Sequence, residues 1–101
     1  GVEALRPRNR ASEVSAAVDK TFIDRGFSPG YWAGHGIGLG IPEPPILDRD
    51  TETVIEEGMA VALHPNAVGD DGRGTLMSRT YIVGSDSAEQ LSRFPLQWEH
   101  L

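Results

Sequence analysis

The chain has 101 residues, with nine Lys and Arg against fifteen Asp and Glu, and so a formal charge of −6 with its three histidines neutral. That length allows one small domain or part of one, able to bury only about 65% of the surface its unfolded chain exposes. The acidic balance argues against a nucleic-acid partner, which needs a basic face for phosphates. The absence of cysteine removes disulfides, thiolate metal ligands and a thiol nucleophile, and leans the compartment towards the cytoplasm. Apolar stretches such as Ala60 to Leu63 are too short for a membrane span or a signal peptide, so no membrane partner is expected.

In chain order, Gly1 to Pro7 has helical composition and reads as a segment cut from a longer domain. From Ala11 to Arg25, the apolar residues Ala11, Val14, Val18, Phe22 and Ile23 fall at helical spacing and predict a helix of about four turns, stopped by Gly26. Asn9 or Ser12 is the expected cap, and Glu13 suits the positive end of the helix dipole. Residues 27–50 are rich in glycine and proline and are expected to be extended or looped. Val54 to Gly58 reads as a turn, Met59 to His64 as a strand ended by Pro65-Asn66, and Asp70 to Gly74 as a second turn. Thr75 to Val83 alternates as the antiparallel partner of the first strand, and Gly84 to Ser87 turns the chain again before Ala88 to Leu91.

Few side chains offer chemistry. His35 lies in Gly34-His35-Gly36-Ile37-Gly38, where the glycines let the backbone approach a ligand closely and adopt positive φ, in a bare loop that leaves the imidazole accessible; the plainer reading is a glycine-rich turn with a surface histidine. The segment lacks the Gly-Lys-Ser/Thr ending of a phosphate loop, and Pro42, Pro44 and Pro45 stand where a helix should follow, which excludes nucleotide binding. His64 ends an apolar strand, a place for a structural histidine or for one that points into a cleft. His35 and His64 together offer an acid/base pair or two nitrogens to a metal, which would need a further ligand. Glu43, between Pro42 and Pro44, has a restricted backbone and serves a site or a rigid loop. Arg79 is a candidate for a substrate carboxylate or an ordinary polar strand residue, the acidic residues from Asp48 to Glu57 read as solvated turn, and His100 reads as tail.

The ordered series Pro7 to Val14, Gly34-His35-Gly36-Ile37-Gly38-Leu39, Glu43-x-Pro45, Glu57-Gly58-Met59-Ala60-Val61-Ala62-Leu63-x-Pro65, Tyr81-Ile82-Val83 and Ala88 to Pro95 resembles part of a known family. The part it resembles is the C-terminal half of the catalytic domain in the M24 metallopeptidases, a group that includes Xaa-Pro dipeptidases, aminopeptidase P, methionine aminopeptidase and the metal-free creatinase. The resemblance implies an α/β (α+β) fold, half of a "pita-bread" domain with an antiparallel sheet and helices on one face. Residues 1–101 would be the C-terminal part of that domain, completed by an N-terminal half or a homo-oligomer. Metal-dependent members hold a dinuclear Mn, Co, Fe or Zn site with two aspartates, a histidine and two glutamates.

Matched to those motifs, His35 is the metal-site histidine, His64 stands at the first glutamate, Ser78-Arg79-Thr80 occupies the place of the second, and Pro42 replaces a substrate-contacting histidine. Bridging two cations needs carboxylates, which imidazole and hydroxyl groups replace poorly. The implied protein is therefore a hydrolase for a small amide, amidine or dipeptide C–N bond, with His35 and His64 catalytic and Glu43 and Arg79 near the substrate; it works without metal or with a single nonstandard one, unless upstream aspartates complete a Mn, Co, Fe or Zn site at His35. One rival is a non-catalytic relative that keeps the fold for ligand binding or dimerisation, and another is that the 101-residue chain is a fragment with no activity of its own.

Overall fold

A computed structural model describes residues 1–40 and 42–95; His100 lies outside them. The first regular element is α1 (Ala11–Ile23), which turns Ala11, Val14, Ser15 and Val18 inward. Its cap differs from expectation. Arg10 is the N-cap, and the Glu13 carboxylate accepts the Arg10 backbone N–H at 2.6 Å, while Asn9 donates elsewhere, from Nδ2 to the Ala4 carbonyl. No Ser or Asn cap is needed, because the N–H groups of Ala11 and Ser12 donate to the carbonyls of Thr53 and Thr51 on a neighbouring segment. Gly26, at φ +81°, turns the chain after the helix.

The strands follow as β1 (Ser28–Pro29), β2 (Gly34–Gly36), β3 (Glu43–Leu47), β4 (Ala60–Leu63), β5 (Asn66–Val68), β6 (Gly74–Leu76), β7 (Arg79–Val83) and β8 (Ala88–Gln90). They form an antiparallel five-stranded sheet in the order β3-β2-β4-β7-β8 and a three-stranded one in the order β1-β5-β6. Among the described residues, no helix is long and apolar enough to cross a membrane.

Two expectations are corrected here. Thr75 to Val83 is not one strand. The register continues from Leu63↔Arg79 to Asn66↔Leu76, so β4–β5 and β6–β7 make a single long hairpin, interrupted where His64-Pro65 meets Met77-Ser78. Proline has no N–H to donate to a ladder, and at this interruption the chain passes from the large sheet to the small one. The turn at Asp70 to Gly74 closes the hairpin as expected, with Gly72 at φ +78°.

The Gly34-His35-Gly36 segment is likewise no bare loop. It is β2, hydrogen-bonded between β3 and β4, and its glycines are absent from the positive-φ positions, which among the described glycines are Gly26, Gly58 and Gly72. These glycines serve close approach. A Cβ on Gly34 would overlap the Ala62 carbonyl oxygen, and one on Gly36 would overlap that of Pro44.

Strand pleat then separates two faces. Leu47, Val61, Leu63, Tyr81 and Val83 join Val14 and Val18 of α1 in one core. Their neighbours in sequence, Ile46, Ala60, Ala62, Thr80 and Ile82, fall on the opposite face together with His35, which pairs with both Ile46 and Ala62.

Candidate functional site

His35 is held by its strand. Its backbone lies between Ile46 and Ala62, and its Nδ1 is 2.8 Å from the Gly36 carbonyl. A carbonyl only accepts, so this bond places a proton on Nδ1, and in the neutral ring the lone pair is then on Nε2. His64 follows β4 on the same pleat as Ala62; its N–H donates to the Ala33 carbonyl at 2.8 Å. The two imidazoles come together with ring centroids 5.2 Å apart and planes inclined by 55°.

His64 is only 8% exposed, and its Nδ1 is buried without a hydrogen-bond partner among the described residues. Burial holds its pKa below the ordinary value of 6.5; a backbone hydrogen bond opposes that shift, and the charge of a protonated His35 adds to it. His64 is therefore neutral near pH 7.

This has a consequence for stability. An unfolded chain takes up a proton on His64 near pH 6.5, the folded chain only at lower pH, so below about 6.5 the unfolded state binds more protons and stability falls as pH falls. Urea midpoints between pH 8 and pH 5 should decline, and the decline should be shallower in His64→Gln. Asp48 contributes separately, in more acid solution, because the Thr51 hydroxyl and then the Asp50 and Thr51 backbone N–H groups hold its carboxyl below the usual range. An identical slope in wild type and His64→Gln would rule out a neutral buried imidazole.

A row of rings continues from the pair. Tyr31 lies 6.0 Å from His64, and Trp32 lies 6.4 Å from Tyr31, edge to face. In the sequence, both aromatics are marked by nothing but their place just before Gly34-His35. Asn66, read from sequence as the end of a strand, is buried and fixes that segment through its side chain.

Glu43 and Arg79 make hydrogen bonds of their own. The Glu43 carboxylate accepts the Gly40 N–H at 2.6 Å and packs against Gly38, tying that loop to β3. Arg79 pairs across the ladder with Leu63 of the core, which sets it on the α1 side of the sheet; its Nη1 donates to Gln90 Oε1. Asp48 caps its own turn by accepting from Asp50 and Thr51.

Among the described residues, no three His, Cys, Asp or Glu side chains converge to hold a metal ion. The pair supplies two imidazole nitrogens and no bridging carboxylate, so these residues do not fit a dinuclear centre, although His35 Nε2 has the lone pair of a metal ligand.

Comparison with known proteins identifies the family and the fold. The family model for metallopeptidase family M24 matches residues 1–76. The chain is 28% identical over 94 residues to an Xaa-Pro dipeptidase of Pyrococcus furiosus, covering 91% of this chain and 27% of that protein. It is 26% identical to a creatinase of a Bacillus species, covering 99% of this chain and 27% of the relative. The solved Xaa-Pro dipeptidase of Bacillus anthracis superposes with a TM-score of 0.87 at 30% identity, over 95% of this chain and 28% of that one. The chain thus spans about a quarter of the length of these relatives, and its α+β sheet-and-helix arrangement is that of the pita-bread proteins.

Proposed function

The chain belongs to metallopeptidase family M24, and from that premise we propose that it contributes a two-histidine site to a hydrolase that cleaves a C–N bond in a short peptide, small amide or amidine. The observation that carries this reading is the pairing of His35 and His64, 5.2 Å apart on the sheet face away from α1. The relatives' names point to the substrate class, and the protein's action as a whole involves polypeptide beyond this segment, from an N-terminal half or a second copy.

His35 Nε2, unprotonated while Nδ1 donates to Gly36, is the base that removes a proton from an attacking water. The hydroxide oxygen adds to the substrate carbon, and the electron pair of the C=O or C=N bond moves onto its heteroatom. Neutral His64, through its ring N–H, stabilises the charge that develops there. When the intermediate collapses, the imidazolium of His35 returns its proton to the departing nitrogen, and the C–N bond breaks. Each proton taken up is given back, and the histidines end as they began.

The intact protein should hydrolyse an Xaa-Pro dipeptide or a simple amide at neutral pH, with little change after exhaustive chelation. Loss of activity on chelation, restored by Mn or Co, would overturn the metal-independent mechanism. A folded protein that binds such compounds without turning them over would instead establish the non-catalytic alternative.

A further inference from the structure

The Asn66 carboxamide spans the gap between the segment before β2 and the start of β5. Its Oδ1 accepts the Tyr31 N–H at 2.9 Å, and its Nδ2 faces the carbonyls of Trp32 at 2.9 Å, His64 at 3.2 Å and Tyr31 at 3.3 Å. Its own carbonyl accepts the Gly30 N–H at 3.0 Å. Gly30 lies so close that a Cβ there would overlap Oδ1 and stand 3.0 Å from Cγ. These bonds fall where the ladder fails, since Pro65 has no N–H to offer and the hairpin register is interrupted between Leu63 and Asn66.

Packing alone would not fix the row of rings, because Tyr31 is 63% exposed. From these bonds we infer that Asn66 is a positioning residue, which sets Tyr31 against His64 and so fixes the orientation of the His35–His64 pair. It touches neither substrate nor reacting atoms in the proposed mechanism. A carboxamide suits the task, with one acceptor for an N–H and two donors for a group of carbonyls. Aspartate would aim a second acceptor at those carbonyls, and alanine would leave donor and acceptors unpaired. The catalytic consequence rests on the hydrolase reading, whereas the ring geometry does not.

The experiment is NMR on the intact protein, with kinetics beside it. In wild type, cross-relaxation should connect the Tyr31 and His64 ring protons, the His64 ring resonances should carry a ring-current shift from Tyr31, and the Asn66 carboxamide protons should exchange slowly with solvent. Asn66→Ala should lose the cross-relaxation and the shift while unfolding cooperatively. Its kcat should fall by about 10²-fold, the scale for a misplacement near 1 Å, with a smaller change in KM. Gly30→Ala, which drives the carboxamide from its seat, should do the same.

Unchanged ring signals in a folded Asn66→Ala protein would overturn the inference. If neither variant folds, the wild-type spectra decide: carboxamide protons that exchange as fast as those of an exposed asparagine would overturn it, and protected ones with ring-to-ring cross-relaxation would sustain it. Altered ring signals in a protein that hydrolyses nothing would sustain the positioning role and remove the hydrolase reading.

Discussion

His35→Ala should lower turnover of the intact protein by at least about 10²-fold, the smaller end of the loss expected when a general base is removed, and leave its unfolding midpoint nearly unchanged. The ring is half-buried and lies on the face away from the α1 core, so its removal opens no large cavity there. Its Nδ1 proton is spent on Gly36, which leaves Nε2 for chemistry. Alanine keeps the strand and loses only the base. Glu43→Gln supplies the contrast. Glutamine keeps an oxygen for the Gly40 N–H that Glu43 accepts at 2.6 Å, so the loop should stay tied to β3 and activity should fall by much less. Turnover retained in His35→Ala but abolished in Glu43→Gln would place the base on the carboxylate and refute the histidine mechanism.

Gly34→Ala should be the more damaging change to the fold, although it adds one methyl group. The new Cβ would overlap the Ala62 carbonyl oxygen and stand 2.9 Å from Leu47 Cδ1 and 3.1 Å from Leu63 Cα. Two of these obstacles are backbone of β4, which is itself hydrogen-bonded to β7, so relief requires the centre of the sheet to part. Overpacking typically costs about 1–3 kcal/mol and occasionally more; with rigid neighbours the loss here should reach at least about 3 kcal/mol. Set against about 5–15 kcal/mol for a whole domain, that is a large share. Urea denaturation gives the value. Gly74→Ala is the control, because its nearest obstacle is the Ala67 carbonyl oxygen at 3.4 Å; equal midpoints for the two variants would refute the close packing of β2 against β4.

The sequence makes the helix plain because burial there has a period. Ala11, Val14 and Val18 recur on one stripe and are buried, although Ile23, the last residue of the helix, is 60% exposed. The pairing of β4 with β7 is legible for the same kind of reason, since Val61, Leu63, Tyr81 and Val83 alternate with residues of the other face. β2 and β3 are hidden by composition. Glycine and proline usually signal turns, but in β2 glycine is demanded by the neighbouring strands and in β3 proline stands at the edge of the sheet.

His35 and His64 are legible as candidates, whereas their shared face depends on a register that sequence leaves open. Asn66 and Tyr31, 35 positions apart, are beyond local reading, because what joins them is a hydrogen bond across two sheets' connecting segments.

The crowding around Gly34 and Gly36 also separates two histories that the same letters could record. Selection on foldability alone would hold both glycines in place, since the sheet rejects any side chain there, whereas under the proposed mechanism the residue between them answers to chemistry. A descendant that abandoned catalysis would keep its glycines and be free to drift at position 35. The glycine frame is therefore silent about catalysis, and under the proposed mechanism position 35 is where its loss would be free to show.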